Sequence, residues 1–213
     1  MLRKRVRYTL FLVAAAIAGC NNTPAPSNSP GEASAETGTR DVQVDSTSEV
    51  QSDAVPPESK VELSVASWDE IQSAIAKHSG KVVVLDLWST SCGPCLRELP
   101  KLAELHKQHP ESVVCMSVSV DYTGAEKETP ESHREKVMKI LESRNMTFQN
   151  FISSTSDFDV YDTIGLASIP AVFVYDRGGQ LVKRFDNDKN DYGDEGFTYA
   201  DHIVPLVEQK LGE

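Results

Sequence analysis

Cysteine and histidine are scarce, four and five in 213 residues, and their placement argues against metal chemistry. Cys92 and Cys95 form a Cys-x-x-Cys pair, but no second pair and no closely spaced histidines supply the other half of a zinc site. His106 and His109 are a poor match. The apolar stretch near the N-terminus, residues 10–17, falls short of the ~20 residues that cross a bilayer. Basic residues are outnumbered, 21 against 32 acidic, for a formal charge of −11, which argues against nucleic acid or anionic lipid as a partner. No internal repeat is visible.

What is present begins with Arg3, Lys4, Arg5 and Arg7, an apolar core, and a close on Ala18-Gly19-Cys20. That order is a secretory signal. The ending Ile17-Ala18-Gly19-Cys20 also resembles the bacterial lipoprotein box. The resemblance implies a signal peptide over residues 1–19 and lipidation of Cys20, which then anchors the chain to a membrane. Removing residues 1–19 leaves 17 basic against 32 acidic residues, a formal −15. Residues 20–60 are rich in Asn, Thr, Pro, Ser, Ala, Gly, Glu and Asp and hold no aromatic residue. Such a stretch cannot bury enough apolar surface to offset its ordering entropy, so a disordered linker is expected. As a flexible coil its root-mean-square reach is on the order of 35 Å. Residues 61–213 have the length of one domain.

Within that domain strand and helix periods alternate. Ser67 and Glu70 form a capping box ahead of Trp68, Ile71 and Ile75 at helical spacing. Residues 81–88, KVVVLDLW, read as a strand buried on both faces. A helix after Cys92, a second buried strand over 112–120 and an amphipathic helix over 131–144 follow. Then come a short strand at 148–152, a short helix at 158–164, strands at 171–175 and 180–185 joined by a turn, and a last helix over 199–211. The pattern predicts an α/β sandwich with a central mixed sheet.

Cys115 lies inside an apolar strand and reads as a small core residue. For the pair Cys92/Cys95, a purely structural bridge across so short a loop would restrict the unfolded chain little, and redox chemistry is the reading that remains. Cys92 stands where a strand ends and a helix begins, so unpaired backbone N–H groups and the helix dipole favour its thiolate. Cys92 is therefore the expected nucleophile and Cys95, one turn in and more buried, the resolving thiol. Pro94 fits the first helical turn, where its missing N–H costs nothing, and Pro100 is expected to kink the same helix.

The segment DLWSTSCGPC resembles the thioredoxin active site, and ASIPAVFVY resembles the later cis-proline segment of that superfamily. CGPCLRELP is similar to the membrane-anchored TlpA/ResA-like branch, whose members are extracytoplasmic thiol–disulfide oxidoreductases. The resemblance, which extends to a helical insertion holding the helix over 131–144, covers residues 61–213 and is strongest at these two motifs. It implies a thioredoxin-like α/β/α sandwich in which Asp86 is a buried acid exchanging a proton with Cys95. It also implies that Ile169-Pro170 is a cis peptide facing the disulfide, that Glu98 acts near the pair, and that Trp88, Gly93 and Pro94 belong with Ile169 and Pro170 to the substrate-binding surface. Ser91 stands where many thioredoxins have an aromatic residue. The acidic stretch over 186–196 looks faintly like a calcium loop, but Asp191 and Phe197 stand where such a loop needs Gly and Glu, so a solvated loop is expected.

The expected function is that of an extracytoplasmic, lipid-anchored, monomeric enzyme of bacterial redox homeostasis. It would reduce protein disulfides through Cys92–Cys95 with no cofactor and no metal. Gly93-Pro94 matches the thioredoxin-type pair and favours the reducing direction. The resemblance implies a membrane thiol relay as electron donor, and disulfides such as those of apocytochrome haem-binding cysteines, hence cytochrome c maturation, as targets. The alternatives are a disulfide-forming oxidant or isomerase of the same fold, a thiol peroxidase using Thr90, a copper-delivery protein, and a non-catalytic binding module.

Overall fold

The computed structural model describes residues 61–213. The expected signal peptide, the lipidated Cys20 and the linker lie outside the described residues. Five helices and six strands follow one another as β1 (Glu62–Ala66), α1 (Trp68–Ala76), β2 (Val82–Trp88), α2 (Gly93–Gln108), β3 (Val113–Ser119), α3 (Arg134–Ser143), β4 (Gln149–Ser153), α4 (Asp157–Ile164), β5 (Ala171–Tyr175), β6 (Leu181–Phe185) and α5 (Val204–Leu211). The sheet order is β1-β4-β3-β2-β5-β6. The first four strands in that order run parallel, and β5 and β6 are antiparallel additions. The fold class is the one expected from the alternation of periods.

The sheet is buried on both faces because its central strands carry apolar residues on both, with Asp86, Ser117 and Ser119 as buried polar exceptions. Val82, Val84 and Trp88 of β2 face Leu99, Leu102 and Leu105 of α2, together with Val207 of α5. Val83, Leu85 and Leu87 point the other way, toward Ile71 and Ile75 of α1 and Val160 of α4. Asp86 shares the parity of Val84 and Trp88 and so points under α2, into the same layer as Cys95.

Two differences from the sequence reading have local causes. Residues 62–66 form an edge strand that the continuous-run criterion passes over, because one face of ELSVA is exposed and only β4 pairs with it. The last helix does not begin at Tyr199: residues Tyr199–Ile203 make a wider π-helical turn capped by the Thr198 hydroxyl, and α5 proper starts at Val204. Pro205 explains the change, since it has no N–H to give and sits at least cost in a helix's first turn. Pro100 lies inside α2, which runs on to Gln108. The Leu96 carbonyl, which Pro100 cannot reach, is approached by the Arg144 guanidinium at 3.5 Å.

Edge strand β1 is tied to the sheet by a buried polar network. The Asn150 amide donates to the carbonyls of Met146 (2.9 Å), Phe148 (2.6 Å) and Glu62 (3.1 Å). Its carbonyl accepts from the Ser117 hydroxyl at 2.7 Å, which in turn accepts from the Trp88 indole at 3.2 Å. Truncation would leave several buried groups unpaired at once. Asn150→Ala is therefore expected to lower unfolding stability by roughly 3 kcal/mol, read from urea denaturation. A loss below about 1 kcal/mol would mean that water replaces the amide.

Candidate active site

Beyond the C-terminal end of β2 the chain turns through Ser89–Ser91 into α2, and this turn is held from β3. Asp121 accepts two hydrogen bonds from Thr90, from its N–H at 3.0 Å and from its hydroxyl, and a third from the Ser119 hydroxyl at 2.6 Å. The Cys92 N–H closes the turn on the Ser89 carbonyl at 3.2 Å. Cys92 is thereby fixed as the N-cap of α2, with Gly93 and Pro94 as its first two helical residues.

Cys92 and Cys95 are joined as a disulfide with Cα atoms 5.3 Å apart. The two sulfurs have unequal surroundings. Cys92 Sγ accepts the Cys95 N–H at 3.2 Å and opens onto a cavity of about 420 Å³ whose walls include Pro94, Asp121, Asp157, Tyr161 and Ile169. Cys95 is 2 % exposed. A thiolate at Cys92 would rest on a backbone donor and on the positive end of a 16-residue helix, whereas one at Cys95 would lie in apolar surroundings. The Ile169–Pro170 peptide is cis, and Ile169 lines the cavity beside Cys92.

Asp86 is buried at 3 % exposure. Its Oδ2 accepts the Tyr199 hydroxyl at 2.6 Å, while Oδ1 has no partner among the described residues. Burial pushes its carboxyl up to about 7; the Tyr199 hydrogen bond works against that rise, and the negative charge of Glu98 adds to it. Glu98, one turn beyond Cys95, accepts the backbone N–H of Tyr199 at 2.9 Å. Glu98 thus meets the site through the C-terminal turn as well as through its charge.

Other residues singled out in the sequence fall elsewhere. Trp88 is completely buried and bonded to Ser117; it supports the site from the core, which corrects its assignment to the substrate-binding surface. Cys115 is a free, buried thiol on β3, pushed well above its ordinary range by burial and then by Asp86. In the acidic stretch, Asp186 accepts from Arg184 at 2.6 Å and Asp188 from the Ala167 N–H at 2.8 Å, so these two carboxylates brace the loop. The residue that sequence reasoning missed is Tyr199. The available signal was an acid inside an apolar strand, which requires a buried donor, but nothing local says which of six tyrosines provides it.

Comparison with known proteins gives a consistent picture. The model of the AhpC/TSA family matches residues 57–184. The thioredoxin-like protein YneN of Bacillus subtilis is 27 % identical over 110 residues, covering 52 % of this chain and 59 % of that protein. The thiol-disulfide oxidoreductase ResA of Geobacillus thermodenitrificans is 29 % identical over 110 residues, covering 51 % and 56 %. The chain thus spans a little over half the length of these curated relatives. Among solved structures, a thiol-disulfide isomerase from Corynebacterium glutamicum superposes with a TM-score of 0.51 at 18 % identity, over 72 % of this chain and 96 % of that one. A thioredoxin-like superfamily protein superposes at 0.50 with 17 % identity, over 65 % and 85 %; both likenesses concern the fold. With the family model covering more than half of its length, the chain belongs to the AhpC/TSA family and has the thioredoxin-like fold.

Proposed function

We propose that this protein is a thiol–disulfide oxidoreductase that reduces protein disulfides outside the cytoplasm, held to a membrane by lipid on Cys20. The observation that carries the reading is the unequal disulfide: Cys92 Sγ at a helix N-cap on an open cavity, Cys95 buried behind it. The names of the curated relatives support the activity. In the forward step the Cys92 thiolate attacks one sulfur of a substrate disulfide, and the other substrate sulfur leaves as a thiolate. Cys95 then gives up its proton and attacks Cys92 Sγ, which releases the second substrate thiolate. Two electrons pass to the substrate, and Cys92–Cys95 is left oxidised. Asp86 is the buried group proposed to take the Cys95 proton. Gly93, Pro94, Ile169 and Pro170 are the proposed contacts for the substrate backbone. A membrane thiol relay is the proposed electron source, since an oxidising compartment offers no glutathione pool to regenerate the dithiol. Among the described residues no helix is long and apolar enough to cross a membrane, and the proposed anchor is the lipid alone.

A peroxidase would place the Thr90 hydroxyl on the peroxide at Cys92; here that hydroxyl donates to Asp121. Equilibration against dithiothreitol tests the direction of electron flow. The Cys92–Cys95 couple is expected near the −270 mV scale of thioredoxin, and a value near about −120 mV would make the protein an oxidant instead.

A further inference from the structure

The partner of the buried acid comes from outside the stretch that matches the family model. That match ends at residue 184, and Tyr199 follows a loop of the chain's own C-terminal part. The loop is firmly built. Gly196 has φ +74°, a conformation that side chains rarely adopt, and a Cβ there would push on the Asn187 amide at 2.8 Å; Asn187 Oδ1 in turn accepts the Phe197 N–H at 3.3 Å. Phe197 packs on Phe185 and Tyr192. The Thr198 hydroxyl caps the following turn, and Glu98 of α2 accepts the Tyr199 N–H. The Tyr199 ring, 1 % exposed, therefore has one place to go.

Its hydroxyl makes the two oxygens of Asp86 inequivalent. Oδ2 faces a committed donor at 2.6 Å, whereas Oδ1 is buried with no partner. A proton arriving at this carboxyl finds both lone pairs of Oδ1 open, whereas one of Oδ2's is held by the Tyr199 hydroxyl. The ionisable groups that act on the carboxyl are Tyr199 itself, Glu98 of α2 and Cys115 of β3, and Cys95 lies in the layer on the same face of the sheet.

We propose that Tyr199 is a positioning residue for proton exchange in the active site: by holding Oδ2 it leaves Oδ1 as the oxygen that takes the Cys95 proton. This rests on the oxidoreductase reading above. In the step concerned the Cys95 S–H bond breaks and its proton passes to Oδ1. The Cys95 sulfur bonds to Cys92 Sγ, and the substrate sulfur leaves with the electron pair of the mixed disulfide. Tyr199 keeps its own proton throughout. Because donation to the carboxylate favours the ionised form, losing it moves the Asp86 titration upward.

The test uses the full chain with Cys20→Ser, reduced and mixed with a symmetric aromatic disulfide that frees a coloured nitrothiobenzoate at each step. The first release reports Cys92 attack, the second Cys95 displacement. In Tyr199→Phe the midpoint of the second phase's pH profile, measured relative to the first phase, is expected to rise by about one pH unit. In an Asp86→Asn background the same substitution is expected to produce no shift. A midpoint unmoved by Tyr199→Phe, or an equal shift without Asp86, would overturn the assignment. If Tyr199→Phe does not fold, a fluorotyrosine installed at position 199 donates more strongly and is expected to move the midpoint down; no movement would overturn the assignment equally. Absence of both phases in the parent chain would remove the oxidoreductase reading and this inference together, whereas a normal first phase with an unshifted second removes this inference alone.

Discussion

Replacing Asp86 with Asn is expected to make the protein more stable at pH 8, by about 3 kcal/mol, and to change its stability little at pH 3. The carboxyl titrates near its ordinary 3.8 in the unfolded chain and at about 7 in the folded one. Below pH 3.8 both states hold the proton and nothing is lost. As the pH rises from there to 7 the unfolded chain releases the proton while the folded one retains it, so stability falls over that window. Above pH 7 a buried charge is fully present, with the Tyr199 hydroxyl as its one donor. The rise of about three pH units is worth roughly 4 kcal/mol. Asn removes that term but leaves an amide at the unpaired Oδ1 position, which costs about 1 kcal/mol in return. Urea midpoints of parent and variant at the two pH values check this. An equal change at both would mean that packing, not charge, governs the site. A group that destabilises its own fold at neutral pH is what a proton-transfer role predicts.

The same residue shows how far the sequence could be read. An aspartate in the middle of VVVLDLW is conspicuous because every neighbour is apolar, and its burial follows from the strand's two covered faces. The helix N-terminus at Cys92 was legible for a similarly local reason: an apolar run stops, and Pro94 fits best in a helix's first turn. Tyr199 was not legible. It stands 113 residues from Asp86, and it reaches the acid through a loop whose course depends on Asn187, Gly196 and an aromatic cluster, contacts that no periodicity encodes. Edge strand β1 escaped notice because a strand with one neighbour and one wet face carries half the apolar signal of β2. The substrate-surface role given to Trp88 failed through parity. The residue is next to the active-site turn in sequence, yet its side chain points under α2, where the Ser117 hydroxyl takes its indole N–H.

Cys92→Ser is expected to abolish disulfide exchange completely, whereas Cys95→Ser is expected to stop it after one step with the substrate still attached. Both variants remove the same disulfide and leave one thiol, so chemistry alone would make them equivalent. The structure makes them different. In Cys95→Ser the remaining sulfur stands at the N-cap of α2, on the cavity wall, and accepts a backbone N–H from position 95. It is placed to attack, and the adduct it forms has no second thiol to release it. In Cys92→Ser the remaining sulfur is 2 % exposed, behind the first turn of α2. A substrate disulfide cannot reach it without opening the helix, and a serine hydroxyl at the N-cap forms no bond to sulfur. Mass spectrometry after incubation with a disulfide-bonded peptide distinguishes the two: one peptide adduct per chain, removable by dithiothreitol, on Cys95→Ser, and none on Cys92→Ser. The adduct must map to Cys92 and not to Cys115, which is as buried as Cys95. An adduct on Cys92→Ser at a comparable rate would exchange the roles of the two cysteines and, with them, the reason for placing Asp86 beneath the inner one.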